Sequence, residues 1–307
     1  MGPDAVAQNH STAATAESGR LLKAPWQNSF VPVQPAPIPP FLYGTAWKEE
    51  RTAALVEQAV HCGFRGIDTA NQRSHYFEAG VGEGLAACYG AGVITRADLF
   101  LQTKFTYRTG QDRRLPYDPS ADLSVQVAQS LGSSLEHLGS SYVDSYLLHG
   151  PASAYTWTDA DAETWSAMAK EQSCGRVRTL GVSNVSPHHL QQLLATQGPL
   201  PAFVQNRCYA SLGWDREVRQ LCGAHGIIYQ GFSLLTANLE VLRHPLLKDT
   251  AARAGTTPAQ IVFAFARAIG ILPLTGTSST EHAKQDLASV NLQLAAEIVR
   301  SIESLAG

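Results

Sequence analysis

Four side chains of this 307-residue chain could together pass a proton to an oxygen atom: Asp68, Tyr76, Lys104 and His149. A tyrosine with an unperturbed pKa of ~10 is a weak acid at neutral pH. A nearby ammonium group favours the phenolate and lowers that pKa, which predicts a role for Lys104 beside Tyr76. Asp68 could hold Lys104 in an ion pair, and a neutral His149 could donate a hydrogen bond to a carbonyl oxygen. Taken alone, Asp68 and Lys104 are equally consistent with a buried structural ion pair.

The elements that would bring these residues together follow from the hydrophobic pattern. Short apolar runs rich in β-branched and aromatic residues alternate with longer segments of helical periodicity. The runs predict eight strands, near residues 41–45, 66–70, 98–105, 143–149, 178–183, 202–207, 227–233 and 271–275. The remaining segments predict helices near residues 50–62, 77–90, 122–138, 160–174, 186–196, 214–225, 257–269, 280–288 and 294–304. Eight strand–helix units predict an α/β fold, a (β/α)₈ TIM barrel formed by residues 41–307, with polar residues at the carboxyl ends of the strands facing one cavity.

Composition and charge argue against several functional classes. The formal net charge is −3 and the 23 Lys and Arg residues are spread along the chain, so we expect no nucleic-acid partner. The sequence contains no apolar run of about 18 residues, and no basic segment precedes an apolar one at its N-terminus. We therefore expect no membrane span and a cytoplasmic location. Five cysteines without C-x-x-C spacing favour small buried thiols in a reducing compartment. Residues 1–40 are polar and then proline-rich, which predicts a flexible or extended segment before the barrel.

Several segments of the chain resemble motifs of the aldo-keto reductase superfamily, in that family's order. The segment GFRGIDTANQRSHYFEAGVGEGL (63–85) is similar to the family signature, with its Asp, its Tyr and a trailing Glu-x-x-Val-Gly. LFLQTKF (99–105) resembles the strand that bears the family's Lys, and YVDSYLLHGP (142–151) resembles the strand that bears its His. GVSNV (181–185) resembles the family's Gly-x-Ser-Asn segment, and PAFVQNRCY (201–209) resembles its Gln-containing strand. The resemblance runs from about residue 41 to the end of the chain.

The resemblance implies that the protein reduces a carbonyl compound, a small-molecule aldehyde or ketone, with NADPH. It implies a catalytic set of Asp68, Tyr76, Lys104 and His149, with Tyr76 as the proton donor. The nicotinamide carboxamide would be held by Ser183, Asn184 and Gln205, and Phe232 would stack on the ring where the family usually has a Tyr. Further cofactor contacts are expected after the first and seventh strands, at Gly44, Thr45, Ser233 and Leu235. The substrate pocket is expected beside Trp47, Tyr107 and Trp157, in a monomer or weak dimer.

The phosphates of the cofactor are expected at PLTGTSSTEHAKQDL (273–287), a strand followed by small hydroxyl residues and a helix. Family members often carry a Lys and an Arg here for the 2′-phosphate of NADPH, whereas this chain has Leu274 and His282 at the nearest positions. The residues expected to take their place are Thr275, Thr277, Ser278, Ser279 and Lys284, with Gln285 near the adenine. NADPH is the expected cofactor, and NADH stays open.

One departure from the family pattern concerns the proton donor. Tyr76 follows Asp68 by eight residues, a longer spacing than the family's usual one. We interpret this as a lengthened loop with Tyr76 still in place, and His75 beside it is the second candidate. Two other functions stay open: a dedicated biosynthetic enzyme that couples reduction to dehydration or cyclisation, and a non-enzymatic, NADPH-binding regulatory subunit.

Overall fold

The computed structural model of the protein describes residues 1–2 and 37–305. Contacts divide the chain into two units, Met1–Pro32 and Val33–Gly307, and the fold described here belongs to the second. Most of the flexible or extended segment that the sequence predicts over residues 1–40 lies outside the described residues, so that expectation stays a prediction.

Eight short strands form a closed barrel in the described part of the chain. They are β1 Leu42–Gly44, β2 Gly66–Asp68, β3 Phe100–Phe105, β4 Val143–Leu148, β5 Val177–Ser183, β6 Phe203–Arg207, β7 Ile228–Phe232 and β8 Ile271–Thr275. Each pairs in parallel with its neighbours in chain order, and β1 also pairs with β8. The predicted (β/α)₈ TIM barrel is confirmed, and each strand ends within two residues of its predicted position.

Helices surround the barrel. They are α1 Thr52–Cys62, α2 Glu78–Gly90, α3 Leu123–His137, α4 Asp159–Ser173, α5 Pro187–Leu194, α6 Arg216–Ala224, α7 Leu239–Arg243, α8 Pro245–Ala254, α9 Pro258–Ala268, α10 Thr280–Ala288 and α11 Ala296–Ser304. The pair α7 and α8 corrects the sequence interpretation, which assigned no element between β7 and α9. None of these helices is long and apolar enough to cross a membrane.

The barrel interior changes from apolar to polar along its axis. The apolar layer consists of Leu42, Phe100, Leu147, Phe203, Leu272 and Leu274. Nearer the carboxyl ends of the strands the interior holds buried polar side chains instead: Asp68, Gln102, Lys104, Gln205 and Gln230. Layers of inward-pointing side chains are the usual filling of such a barrel, and the catalytic end is the one where the strands finish.

The cysteines only partly follow the sequence interpretation. Cys88, Cys208 and Cys222 are buried and Cys62 is half-buried. Cys174 is exposed, because it lies directly after the last residue of α4, where the chain leaves the packed helix. All five are free thiols.

Candidate active site

A large cleft opens at the carboxyl ends of the strands. Its volume is ≈1020 Å³, which is at the upper end of the roughly 300–1,000 Å³ typical of small-molecule clefts. Residues at the ends of all eight strands, or in the segments that follow them, line it, and they include Asp68, Tyr76 and His149. Three of the four predicted catalytic side chains therefore border the same cavity.

The fourth, Lys104, lies beneath the cleft in a fully buried ion pair with Asp68. Its ammonium nitrogen is 2.7 and 2.8 Å from the two carboxylate oxygens of Asp68 and donates a third hydrogen bond, of 2.9 Å, to the carbonyl of Thr69. An ammonium group has three N–H donors, so all of them are used by this local set. Burial lowers the pKa of Lys104, and the Asp68 carboxylate opposes that shift. The ion pair is therefore rigidly held under the cleft.

Two glutamines that the sequence analysis did not assign to the site complete the surroundings of Asp68. Gln102 donates to Asp68 Oδ1 at 2.6 Å, and it exchanges hydrogen bonds of 2.9 and 3.0 Å with Gln230 across the barrel. Gln205 also donates to Asp68 Oδ1, at 3.0 Å. Asp68 Oδ1 therefore accepts hydrogen bonds from both glutamines as well as from Lys104. A polar residue at the centre of the apolar run LFLQTKF was the available signal for Gln102.

Tyr76 reaches the cleft from a loop between β2 and α2 that is tied down by its own backbone. The amides of His75 and Tyr76 both donate to the carbonyl of Gln72, and the side-chain amide of Gln72 donates to the carbonyl of Gly110. The loop thus folds back on itself and absorbs the long spacing between Asp68 and Tyr76. The Tyr76 ring centroid lies 5.3 Å from the Lys104 nitrogen and 5.9 Å from the His149 ring. No described residue hydrogen-bonds the Tyr76 hydroxyl.

The sequence analysis predicts that Lys104 lowers the pKa of Tyr76, but in the structure this pKa is raised. Desolvation raises the pKa of the phenol above its ordinary value, and the negative charge of Asp68 raises it further. The expected lowering by Lys104 does not occur, because Asp68 neutralises the ammonium and all its N–H groups point away from the phenol. Tyr76 is therefore a neutral hydroxyl at physiological pH, as a proton donor has to be.

His149 is a neutral imidazole in the same part of the cleft, with its ring edge-to-face to that of Tyr76. Desolvation lowers its pKa to about 3, with added repulsion from Lys104 and His75. Its Nδ1 lies 2.7 Å from the hydroxyl of Thr106, and its backbone carbonyl accepts a hydrogen bond from the Asn184 side chain. If Thr106 donates to Nδ1, the second ring nitrogen carries the proton and can donate into the cleft.

The residues expected around the nicotinamide lie next to this pair. Ser183, Asn184, Gln205 and Phe232 all line the cleft. The Ser183 hydroxyl donates to the carbonyl of Gln205 at 2.6 Å, and the amide nitrogens of Asn184 and Gln205 are engaged within the protein. Their amide oxygens have no partner among the described residues and are free to accept from a carboxamide.

Comparison with known proteins gives the same assignment as the geometry. The family model described as "Aldo/keto reductase family" matches residues 42–306. The chain belongs to the aldo/keto reductase family. It is 30% identical over 249 residues to an aldo-keto reductase of Mycolicibacterium vanbaalenii, covering 80% of each chain. Its fold is similar to the crystal structure of an aldo/keto reductase from Brucella melitensis, with TM-score 0.74, 28% identity and coverage of 87% and 95% of the two chains. It is also similar to a Bombyx mori aldo-keto reductase solved in complex with NADP, with TM-score 0.72, 24% identity and coverage of 87% and 89%.

At the far end of the cleft, this reductase presents most of the residues expected at the cofactor phosphates and adenine. Gly44, Ser233, Leu235, Thr275, Thr277, Ser278 and Gln285 line the wall. The structure does not bring Thr45, Ser279 and Lys284 to it. Thr45 is buried and donates its hydroxyl to the carbonyl of Asp68. Ser279 caps the N-terminus of α10 and Lys284 is exposed on that helix.

Four cationic or titratable residues on the cleft wall were not assigned to the cofactor from the sequence: Lys48, Arg51, Arg207 and His282. Lys48 and Arg51 follow β1, and Arg207 is the last residue of β6 with its guanidinium 5.5 Å from the Phe232 ring centroid. Position after a barrel strand was the signal that could have found the first three. The sequence analysis identified His282 only as the residue at a position where family members often carry a cation.

Aromatic side chains form the outer wall beside Tyr76. Trp47 is 68% exposed and its ring centroid lies 4.2 Å from that of His75. Tyr107 also lines the cleft, with its hydroxyl bonded to Asp161 and Thr164. Trp157 does not line it, which corrects the third of the expected substrate contacts. Its backbone is fixed by the side chain of Gln192 and its ring packs edge-on against a neighbouring tryptophan.

Proposed function

We propose that this aldo/keto reductase reduces the carbonyl group of a small aldehyde or ketone with NADPH, and that Tyr76 supplies the proton. One observation carries the proposal. A neutral, unpaired phenol and a neutral imidazole face the same cavity directly above a fixed Asp–Lys ion pair. Two neutral donors converging on one point are suited to an oxygen atom on which negative charge develops.

The residues of the cleft fit a nicotinamide dinucleotide. The free amide oxygens of Asn184 and Gln205 match the N–H donors of a carboxamide, and Phe232 offers a ring face for stacking. Hydroxyl side chains and backbone between β8 and α10 provide donors for phosphate oxygens at the start of a helix. When bound, NADPH would supply the hydride for the carbonyl carbon.

The chain's own residues would then act on the carbonyl oxygen. Tyr76 and His149 would each donate a hydrogen bond to it and orient the carbonyl. As negative charge grows on the oxygen, the phenol proton moves to it and the charge passes to Tyr76. The phenolate that forms would have its ring centroid 5.3 Å from the Lys104 ammonium, whose charge the Asp68 carboxylate largely offsets.

The open outer wall favours a broad range of substrates over a single dedicated one. Trp47 is largely exposed, and the aromatic residues there border an accessible mouth. Apolar or aromatic carbonyl compounds match such a surface better than small polar ones do.

A substrate panel tests the proposed function. The purified protein is mixed with NADPH and with simple aliphatic and aromatic aldehydes and ketones, and the oxidation of NADPH is followed together with formation of the alcohol. We expect stoichiometric alcohol for several members of the panel. Tight NADPH binding without any alcohol would contradict the proposal and favour a regulatory NADPH-binding subunit. A product that has also lost water or cyclised would favour a dedicated biosynthetic enzyme.

A further inference from the structure

Lys48 is a buried cation with unused hydrogen-bond donors at the far end of the cleft. Its side chain is only 6% exposed, and its nitrogen donates a single hydrogen bond of 2.6 Å, to the carbonyl of Gly276. In the described part of the chain no carboxylate pairs with it. Burial and repulsion from Arg51 lower the pKa of Lys48 to about 8. A buried ammonium with one acceptor is suited to an anion that completes its hydrogen bonds.

Arg51 is placed next to Lys48 by the turn that begins α1. Arg51, Gln58 and Cys62 are spaced seven and four residues apart, so they share one face of the helix. Gln58 donates to the carbonyl of Ser278 at 3.4 Å, and the Cys62 thiol is 3.9 Å from the carbonyl of Thr280. That face therefore runs along the segment between β8 and α10, and Arg51 is presented beside it at the cleft.

The Arg51 guanidinium is exposed on the cleft wall and pairs with no acidic side chain among the residues described. The neighbouring Glu50 is 4.0 Å from Arg73 instead. Asp286 is the acidic residue on this part of the wall, and it is buried and accepts a 2.8 Å hydrogen bond from Thr275. Desolvation raises the pKa of Asp286 to about 6, so it stays mostly ionised at neutral pH, but its single charge is outnumbered by those of Lys48 and Arg51. The surface left for a ligand is thus cationic.

We propose that Arg51, with Lys48 beside it, binds the 2′-phosphate of NADPH in this chain. The inference rests on the proposed function. Family members often carry a Lys and an Arg where this chain has Leu274 and His282. The proposal accounts for that difference, because the positive charge for the phosphate comes here from the segment after β1 and not from the segment after β8. Thr277, Ser278 and His282, on the adjoining segment that leads into α10, complete the set of donors.

Nucleotide affinities test the assignment without any turnover. Dissociation constants for NADPH and for NADH are measured by quenching of tryptophan fluorescence, for the wild type, Arg51→Ala and Arg51→Lys. A matched control, Arg253→Ala, removes an exposed arginine of α8 that lies outside the cleft. We expect Arg51→Ala to weaken NADPH about tenfold or more, because a hydrogen-bonded charge pair is lost, with Arg51→Lys intermediate. NADH affinity should change by less than about twofold, and the control should match the wild type.

Competition with nucleotide fragments distinguishes binding of the 2′-phosphate from binding of the 5′-phosphate. Adenosine 2′,5′-bisphosphate carries the 2′-phosphate and adenosine 5′-monophosphate does not, so only the first should lose affinity in Arg51→Ala. Equal weakening of NADPH and NADH, or no change in either, would overturn the assignment while leaving the reductase function intact. A wild-type protein that binds neither dinucleotide would overturn the proposed function itself, and the inference with it.

Discussion

At the scale of single residues, the tautomer of His149 depends on one hydroxyl. Thr106 is buried and lies 2.7 Å from Nδ1 of the imidazole. With the pKa of His149 lowered to about 3, the ring is neutral and has a single N–H to place. A hydroxyl that donates to Nδ1 leaves that N–H on the nitrogen that can face a carbonyl oxygen.

Replacement of Thr106 tests this arrangement. Thr106→Val keeps the shape of the side chain and removes the hydroxyl, so we expect kcat/KM for carbonyl reduction to fall about tenfold, the loss of roughly one hydrogen bond. Thr106→Ser retains the hydroxyl and should stay close to the wild type. A serine variant as impaired as the valine variant would show that packing, and not the hydrogen bond, matters at this position.

Residue identity predicted some of this site and left the rest open. Asp68, Lys104 and His149 follow from their positions at strand ends, where a barrel collects its polar groups. The raised pKa of Tyr76 does not follow from sequence, because it depends on how far Asp68 neutralises Lys104 in three dimensions. The role of Gln102 in the site does not follow from sequence either, because its hydrogen-bond partner Gln230 is 128 residues away.

At the scale of elements, the glycines of α2 are explained by helix packing. A side chain at Gly82 would overlap the backbone carbonyl of His137, the last residue of α3, and one at Gly84 would overlap that of Ala53 in α1. The sequence analysis predicted a helix near residues 77–90 for this glycine-rich run. The close approaches are to the two neighbouring helices, which the glycines allow to lie side by side.

A pair of alanine substitutions on α2 measures this constraint. Gly82→Ala places a methyl group against the α3 backbone and should destabilise the fold by about 1–3 kcal/mol, as overpacking does. Gly90→Ala, near the end of the same helix, meets nothing within 4 Å. It should be neutral or slightly stabilising because alanine favours the helix. Urea unfolding of both variants provides the comparison, and equal stability of the two would contradict the packing explanation.

Periodicity predicted the barrel strands and missed the helices between β7 and α9. The strands are short apolar runs with clear breaks, which the pattern identifies well. The segment that forms α7 and α8 contains Pro245, which interrupts the helical pattern when a sequence is read linearly. In the structure Pro245 occupies the first turn of α8, where a proline costs no hydrogen bond, and His244 caps that helix.

At the scale of the whole molecule, two buried titratable groups act in opposite directions on stability. His149 has a pKa of about 3 in the folded protein, below its unfolded value of about 6.5, so acid favours the unfolded chain from about pH 6.5 downward. Asp286 has a pKa of about 6 in the folded protein, above the unfolded value of about 3.9. Protonation of Asp286 therefore stabilises the folded state as the pH falls through 6.

The pH dependence of unfolding follows from these two groups. At pH 5 the His149 contribution is a loss of about 2 kcal/mol and that of Asp286 a gain of about 1 kcal/mol, relative to pH 8. We expect His149→Gln to lose less stability than the wild type between pH 7 and 5, and Asp286→Asn to lose more. Urea denaturation at each pH measures both. Parallel curves for all three proteins would contradict the assigned pKa shifts.

The most direct test of the account is the turnover of Tyr76→Phe with an aldehyde that the wild type reduces. The ring and its packing are kept and only the hydroxyl is lost, so kcat should fall by about 10²–10⁴-fold while NADPH binds within about twofold of the wild-type affinity. His75→Phe, at the neighbouring position, should keep most of the activity. Unchanged kcat in Tyr76→Phe, or activity lost in His75→Phe and kept in Tyr76→Phe, would contradict Tyr76 as the proton donor.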